Sequence, residues 1–541
     1  MNDRLFYNCN LRKAYNDWEK DAAFLVRNGR IVAAGDKNSL LSAWGDLPKI
    51  DLKGKTVTAG FNDSHLHLYQ LGRDIQALDL SDIRSLDEFK KVISEWSKNK
   101  ADNNGGLLRA IRLHDQKFPD SKLPDRKILD SLVADQPLII TRACYHAAAL
   151  NSKALRLANI NKETEDPESG RIGRYKDGRP DGRIYDSAIN LLENNLPKPD
   201  LEGITKTMIS ASKKLLAEGI TSVGTDDLNA INNPEPMLSA YNKLIKSDAS
   251  FPRLWLQQRV NSIKEIEWLK ENSCQTGKGN FWKLHGPLKI MLDGSLGAKT
   301  AALSRPYHNS NSNYGDLLLS EDKLVKLLNT AAKYDFTAAI HVIGDRALDL
   351  ALKVMENASK NGFNINESLL IHCQITRKEQ LKRLGDINMN LAIQPAFVAT
   401  DWSFVEDYVE KELARNSYAW KSLIDKGACL AGSSDAPIEP TNPLWGIQTA
   451  ITRQNKEAKP AAGWRPNEKL KLDKAWDLFT RAGAVLSGES HYKGNLKPGQ
   501  LADFVILSEN PNNIPAENIS DLEIEATYQH GVKVYSASSS R

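Results

Sequence analysis

Six side chains on five well-separated stretches have the types that bind a metal ion and activate water. His65 and His67 stand one residue apart in Thr56-Val-Thr-Ala-Gly-Phe-Asn-Asp-Ser-His-Leu-His67. In an extended chain alternate side chains share a face, so these two imidazoles converge while Leu66 packs behind them. Neutral imidazoles at that spacing suit a divalent cation, although an ordinary strand end can also carry two such residues. Further along, Lys289 lies in Pro287-Leu-Lys-Ile-Met-Leu-Asp293 and His341 in Ala339-Ile-His-Val-Ile343. His372 lies in Leu370-Ile-His-Cys-Gln374 and Asp435 closes Gly432-Ser-Ser-Asp435. A single histidine at a strand end is commonly a hydrogen-bonded structural group, and Asp435 before Ala-Pro could be a turn or helix cap. Lys289 asks for more, because a buried ammonium is costly unless paired or neutralised. An ion pair with Asp293 is one answer. Reaction with carbon dioxide is another, giving a carbamate that can bridge two cations. The coincidence of all six at strand ends favours the joint reading over six separate bland ones.

The elements that must position these groups follow a regular rhythm. Short apolar runs at 222–225, 254–260, 288–292, 338–342, 369–373, 391–395 and 429–432 read as strands. Helical stretches at 322–334 and 346–360 repeat apolar residues at three- and four-residue steps. With the strand leading into His65 this makes about eight βα units, so the predicted class is α/β, a (β/α)8 TIM-like barrel with reactive side chains at the C-terminal strand ends. The rival, an open doubly wound sheet, lacks a Gly-x-Gly-x-x-Gly turn opening a helix. Both chain ends are β-rich, and Asn28-Gly29 marks a hairpin. We therefore expect a small β-sandwich domain from 1–55 and 485–541 and a hydrolase barrel over 56–484. A long insertion at about 75–200 follows barrel strand 1, too apolar to be disordered. His146, at the end of its run Leu138–Cys144, is a candidate substrate contact. Asp345 and Arg346 read as a cap and an ion pair. The βα loops and the insertion are expected to set specificity.

Composition narrows the classes. Of 541 residues, 26% are charged and the net charge is only +4, which points to neither nucleic acid nor an anionic membrane. Met-Asn-Asp-Arg-Leu-Phe-Tyr7 is not an apolar leader, and no run approaches a membrane span. Five scattered cysteines, an odd number, read as reduced thiols. A cytoplasmic location is expected.

The motifs together resemble the amidohydrolase superfamily of metal-dependent hydrolases, in the amidohydrolase-3 branch that includes N-substituted formamide deformylase. They are Gly60-Phe-Asn-Asp-Ser-His-Leu-His67, Lys289 with Asp293-Gly-Ser-Leu-Gly297, His341-Val-Ile-Gly-Asp-Arg-Ala347, Ser434-Asp-Ala-Pro437 and Leu496-Lys-Pro-Gly-Gln-Leu-Ala-Asp503. Ala149-Leu-Asn-Ser-Lys-Ala-Leu155 and Asp177-Gly-Arg-Pro-Asp-Gly182 extend the likeness into the insertion. Ala59 departs from the proline usual before Gly60, which touches turn rigidity rather than ligation.

The resemblance implies two divalent ions, zinc before other metals. His65, His67 and Asp435 would hold the more buried ion, His341 and His372 the more exposed one, and carboxylated Lys289 would bridge them. It implies a bridging hydroxide that attacks a small-molecule amide or N-substituted formamide, with Asp435 moving the proton to the leaving nitrogen. A homodimer is a family-level expectation. Two alternatives stand. A mononuclear deaminase on the same barrel would resemble His-x-x-Glu after strand five, where this chain has Gly344, and would leave Lys289 without a task. A catalytically inactive scaffold would be expected to have lost at least one of the six groups.

Overall fold

The computed structural model describes residues 3–537 except 101–106, 116–117, 119–121, 143–146, 168–169, 187, 197, 232, 309 and 311. The chain divides into two compact units, Met1–Tyr69 with Ala211–Arg541, and Gln70–Ser210.

The first unit contains eight parallel strands in sequential order: β1 (Phe61–Leu66), β2 (Ile220–Thr225), β3 (Arg253–Arg259), β4 (Lys283–Met291), β5 (Ala338–Val342), β6 (Leu369–His372), β7 (Asn390–Ile393) and β8 (Cys429–Gly432). Neighbours pair in register from Ile220↔Phe61 to Ile393↔Gly432. The ring is completed beyond β8, where the Asp435 N–H donates to His65 O at 2.9 Å and the His67 N–H to Ala436 O at 2.8 Å. The structure thus agrees with the TIM-like barrel expected from the rhythm of the sequence. Strands such as Ala-Ala-Ile-His-Val342 are buried throughout because a parallel barrel covers both their faces. Between them run amphipathic helices. Asp345–Ser359 buries Leu348, Ala351, Leu352 and Met355, the one-sided spacing that packs a helix on a sheet. Ser320 caps Glu321–Lys333 by accepting from the Lys323 N–H.

Both chain ends contribute to one hydrogen-bonded sheet. Phe504–Leu507 pairs antiparallel with Thr56–Ala59, which pairs in turn with the N-terminal strand Arg4–Ala14. The Asn28-Gly29 hairpin forms, with both residues at positive φ (49° and 73°), as its tight turn demands. Phe6, Phe24, Phe504 and Tyr528 share the core of this sheet, with Phe504 and Tyr528 stacked at 4.4 Å. Thr56–Ala59 was expected to open the barrel, but it belongs to this sheet. The corner is Gly60, where a Cβ would lie 2.3 Å from Thr221 Oγ1. Arg253, 1% exposed at the start of β3, donates to both carboxylate oxygens of Asp503 and ties the terminal sheet to the barrel.

The second unit has its own six-stranded sheet, ordered Gly170–Arg174, Pro180–Asp186, Ala147–Leu150, Leu138–Arg142, Leu108–Leu113 and Leu78–Asp79. Its faces carry separate apolar clusters around Phe89, Leu129 and Ile140, and around Leu155, Ile172 and Ile184. Among the described residues, no helix is long and apolar enough to cross a membrane.

Candidate metal centre

Strand alternation sends Asp63 and His65 of β1 towards the barrel axis, and His67 follows at its rim. His65 Nε2 and His67 Nε2 lie 3.3 and 3.2 Å from one atom, Asp435 Oδ1. Each ring's other nitrogen is engaged elsewhere. His65 Nδ1 is 2.6 Å from Gln257 Oε1, and His67 Nδ1 is 2.8 Å from the Asp226 carbonyl. The Gln257 amide is oriented because its Nε2 donates to Ser64 O at 2.9 Å. Both partners are acceptors, so both Nδ1 atoms carry hydrogen and both Nε2 lone pairs face the carboxylate. Asp435 Oδ1 is buried without a hydrogen-bond donor. With both rings neutral, three electron-rich atoms meet here with no hydrogen between them. One proton would serve one pair; a divalent cation serves all three. Among the described residues, this is the trio whose ligating atoms all lie within 4.8 Å of one another.

The remaining candidates stand beside it. Lys289, 1% exposed, places Nζ 3.3 Å from His65 Nε2. The His341 and His372 rings are 4.4 Å apart, and His372 is 6.1 Å from His65. His372 Nδ1 lies 2.8 Å from Gln394 Oε1, which leaves Nε2 free, whereas His341 Nε2 lies 3.1 Å from the Gly294 carbonyl, which leaves Nδ1. The six predicted groups are thus brought together at one end of the barrel. Burial lowers His65 to about 4 and His372 to about 3, and drives His341 well below the ordinary imidazole range, so these rings are neutral donors of lone pairs. Burial opposes ionisation of Asp435, but hydrogen bonding and charge attraction from His65 and His67 outweigh it and hold the carboxyl well below the usual carboxylate range. Burial likewise opposes a proton on His67, yet Asp435 raises that ring, so a proton there is what a bound cation would displace. Two of the carriers have left-handed backbones, His372 at φ 80° and Asp435 at φ 57°, a conformation that costs on the order of 1–3 kcal/mol and clusters at functional sites.

The alternative role for Lys289 does not materialise. Asp293 accepts from the backbone N–H groups of Ala302, Ile343 and Gly344 at 2.8–3.0 Å, and no carboxylate bridges Lys289 among the described residues. Asp345 accepts from the Ser304 N–H and pairs with Arg377, while Arg346 donates to the Gly315 carbonyl. The roles differ from the cap and ion pair expected: Gly344, not Asp345, is the N-cap of the helix, Asp345 is the member that forms an ion pair, and Arg346 forms none among the described residues. His146 lies outside the described residues.

Several contributors escaped the reading of the sequence. Gln257 and Gln394 fix two of the rings, and Asp226 pairs with Arg259 next to Lys289. Asp63 accepts from the Ser434 N–H at 3.1 Å and from its hydroxyl, anchoring the turn that carries Asp435. The available signal was polar: amides within the apolar run Leu254-Trp-Leu-Gln-Gln258 must find partners once buried. Gln257→Leu is expected to weaken metal binding about 10–100-fold by freeing the His65 ring, as measured by competition with a chromophoric chelator.

A closed parallel barrel that gathers imidazoles and a carboxylate around such an atom is the architecture of metal-dependent barrel hydrolases. The comparisons agree: the Amidohydrolase family model matches residues 49–535, and the chain belongs to that family. It is 31% identical over 523 residues to YtcJ of Bacillus subtilis (strain 168), covering 96% of this chain and 97% of that protein. It is 25% identical over 553 residues to the N-substituted formamide deformylase of Arthrobacter pascens, covering 99% and 98%. A solved metal-dependent hydrolase from Pyrococcus horikoshii OT3 superposes with a TM-score of 0.79 at 26% identity, covering 95% of this chain and 99% of that one.

Proposed function

We propose that this protein hydrolyses the carbon–nitrogen bond of a small amide, of the linear or N-substituted formamide type, with a pair of divalent ions, zinc first among them. The observation that carries the reading is the donorless Asp435 Oδ1 facing two imidazole lone pairs. The formamide class draws support from the likeness to the Arthrobacter pascens deformylase.

His65, His67 and Asp435 would hold one ion, and His341 and His372 the other, with Lys289 between them as a carbamate. Bound there, the ions would supply Lewis acidity towards the carbonyl and lower the pKa of a water so that it is a nucleophile near neutrality. The chain's own residues do the rest. Asp435 takes the proton of the attacking water and passes it to the leaving nitrogen, so that the amine departs neutral. Gln257 and Gln394 keep the His65 and His372 lone pairs turned inward while this happens. The deaminase alternative loses its proton shuttle on steric grounds. A Cβ on Gly344 would lie 2.0 Å from Ala302 O, so no glutamate can stand there without moving the backbone.

Metal analysis combined with a panel of N-alkylformamides and linear amides tests the proposal. Two equivalents of metal per chain are expected, with turnover lost on chelation and restored by Zn2+. Hydrolysis of the same panel at an unchanged rate by metal-free protein would reject it, as would inertness of the fully loaded protein towards every amide.

A further inference from the structure

Beside the metal centre the protein accumulates hydrogen-bond acceptors that its own donors do not satisfy. The Thr400 hydroxyl lies 2.8 Å from Glu439 Oε1 and 3.3 Å from Asp401 Oδ1. One hydroxyl hydrogen can serve only one of those oxygens. Asp401 Oδ2 accepts from the Tyr418 hydroxyl and, at 3.4 Å, from Gln374 Nε2. That contact holds the Gln374 amide against the carboxylate. The Gln374 side chain is 2% exposed, yet its Oε1 has no partner. A buried amide oxygen is left without a donor, and Asp401 Oδ1 and Glu439 Oε1 compete for the one Thr400 hydrogen, an arrangement that costs free energy unless a donor arrives from outside.

The place is as informative as the chemistry. Asp401 ends the short helix Phe397–Asp401, whose first residue stacks on the His372 ring at 6.2 Å. Glu439 follows Asp435 by four residues and feels its charge. Asp401 and Glu439 are both partly exposed, so a molecule can reach them from solvent. Lys456 also acts on Glu439, but its Nζ sits over the Trp445 ring at 5.8 Å, and no ion pair joins the two among the described residues.

We propose that Gln374, Asp401 and Glu439 form a substrate subsite for a positively charged nitrogen, an ammonium group carried by the molecule whose amide is cleaved. An ammonium brings three N–H donors and one charge, which match the donorless amide oxygen and the two carboxylates that share the Thr400 hydrogen better than any neutral substituent. Burial pushes the Glu439 carboxyl up to about 7 and that of Asp401 up to about 6, so part of the negative charge is lost near neutrality until a cation restores it. The subsite's place in a reaction rests on the amide-hydrolase reading; its capacity to bind does not.

Calorimetric titration of the metal-loaded full-length protein at pH 7 uses benzylammonium as the probe and benzyl alcohol as its neutral analogue. Benzylammonium is expected to bind at least tenfold more tightly, and Glu439→Gln or Asp401→Asn to remove most of that difference. Glu439→Gln, at a partly exposed position, carries the test if Asp401→Asn disturbs Tyr418 and folding. Equal binding of the two probes would overturn the proposal. So would binding that survives both variants, which marks direct coordination to metal, or Ca2+ binding abolished by both variants without any ammonium preference. A second comparison sets N-(3-aminopropyl)formamide against N-butylformamide, with a kcat/KM ratio above ten expected and a ratio near one overturning the subsite. If neither formamide is cleaved while benzylammonium still binds through Glu439 and Asp401, the subsite stands and the amide reading falls.

Discussion

Asp435→Asn is expected to leave the barrel folded and to lower kcat/KM for the amide substrate by on the order of 10³-fold or more. The replacement is nearly isosteric, and the contacts that place the residue belong to the backbone: its N–H donates to His65 O at 2.9 Å, and Asp63 anchors the preceding Ser434. Asparagine also tolerates the left-handed backbone found there at φ 57°. What changes is the atom opposite His65 Nε2 and His67 Nε2. An amide presents either a neutral oxygen, a poorer ligand than a carboxylate, or an N–H2 that caps the two lone pairs and excludes a cation. It cannot accept the proton of the attacking water. Two tasks are lost at once, so the effect should exceed that of removing a group with one. Metal content, thermal unfolding and steady-state rates on the same preparations separate the causes. A variant that folds, binds metal and turns over at near-normal rates would remove Asp435 from the proposed chemistry.

The barrel was legible because its period is repeated. Six of the seven later strand runs read from apolar patterning lie within two residues of observed strands, from Ile220–Thr225 to Cys429–Gly432. The seventh, 288–292, is only the end of the longer strand Lys283–Met291, and the helix expected at 322–334 is found at Glu321–Lys333. Six ligand candidates could be named because histidine, lysine and aspartate are out of place at the ends of such runs. The seam at Gly60 was not legible. Thr56–Ala59 and Phe61–Leu66 read as one continuous strand, and only pairing partners more than 400 residues away, Phe504–Leu507, assign the first piece to the terminal sheet. The same limit hid Gln257, Gln394 and Asp63, whose importance lies in the group each one touches rather than in its neighbours along the chain. It also hid Asp401 and Glu439. Asp401 ends a five-residue helix and Glu439 sits on a loop, both too short to show a periodicity that announces a direction, and their meeting through Thr400 exists only in the fold.

Lys289→Ala is expected to lose the second ion and nearly all activity, and to regain part of both when formate, acetate or propionate is added. At 1% exposure, with its Nζ 3.3 Å from a neutral imidazole and no carboxylate in ion-pair contact among the described residues, the ammonium is destabilised, and burial brings it down to about 8. At pH 7 roughly a tenth of such a group is the free amine, far more than for an exposed lysine. In the proposed modification that form would attack carbon dioxide: a nitrogen–carbon bond would form as one carbon–oxygen π bond opens, a proton would leave to solvent, and a cation would be exchanged for a carboxylate at the same position. The sign of the pH dependence follows. Raising pH through the pKa and adding bicarbonate should both increase metal uptake by the wild-type protein, whereas an unmodified ammonium would repel a cation at any concentration of bicarbonate. The alanine variant leaves a space beside His65 that a one- to three-carbon acid can enter with its carboxylate where the carbamate stood. Rescue should therefore fall as the added acid grows beyond that length. Unmodified amines and neutral amides should give no rescue. Normal metal content and rates in Lys289→Ala would mean that His65, His67, His341, His372 and Asp435 suffice without a bridging carboxylate, and the carbamate would have to be abandoned.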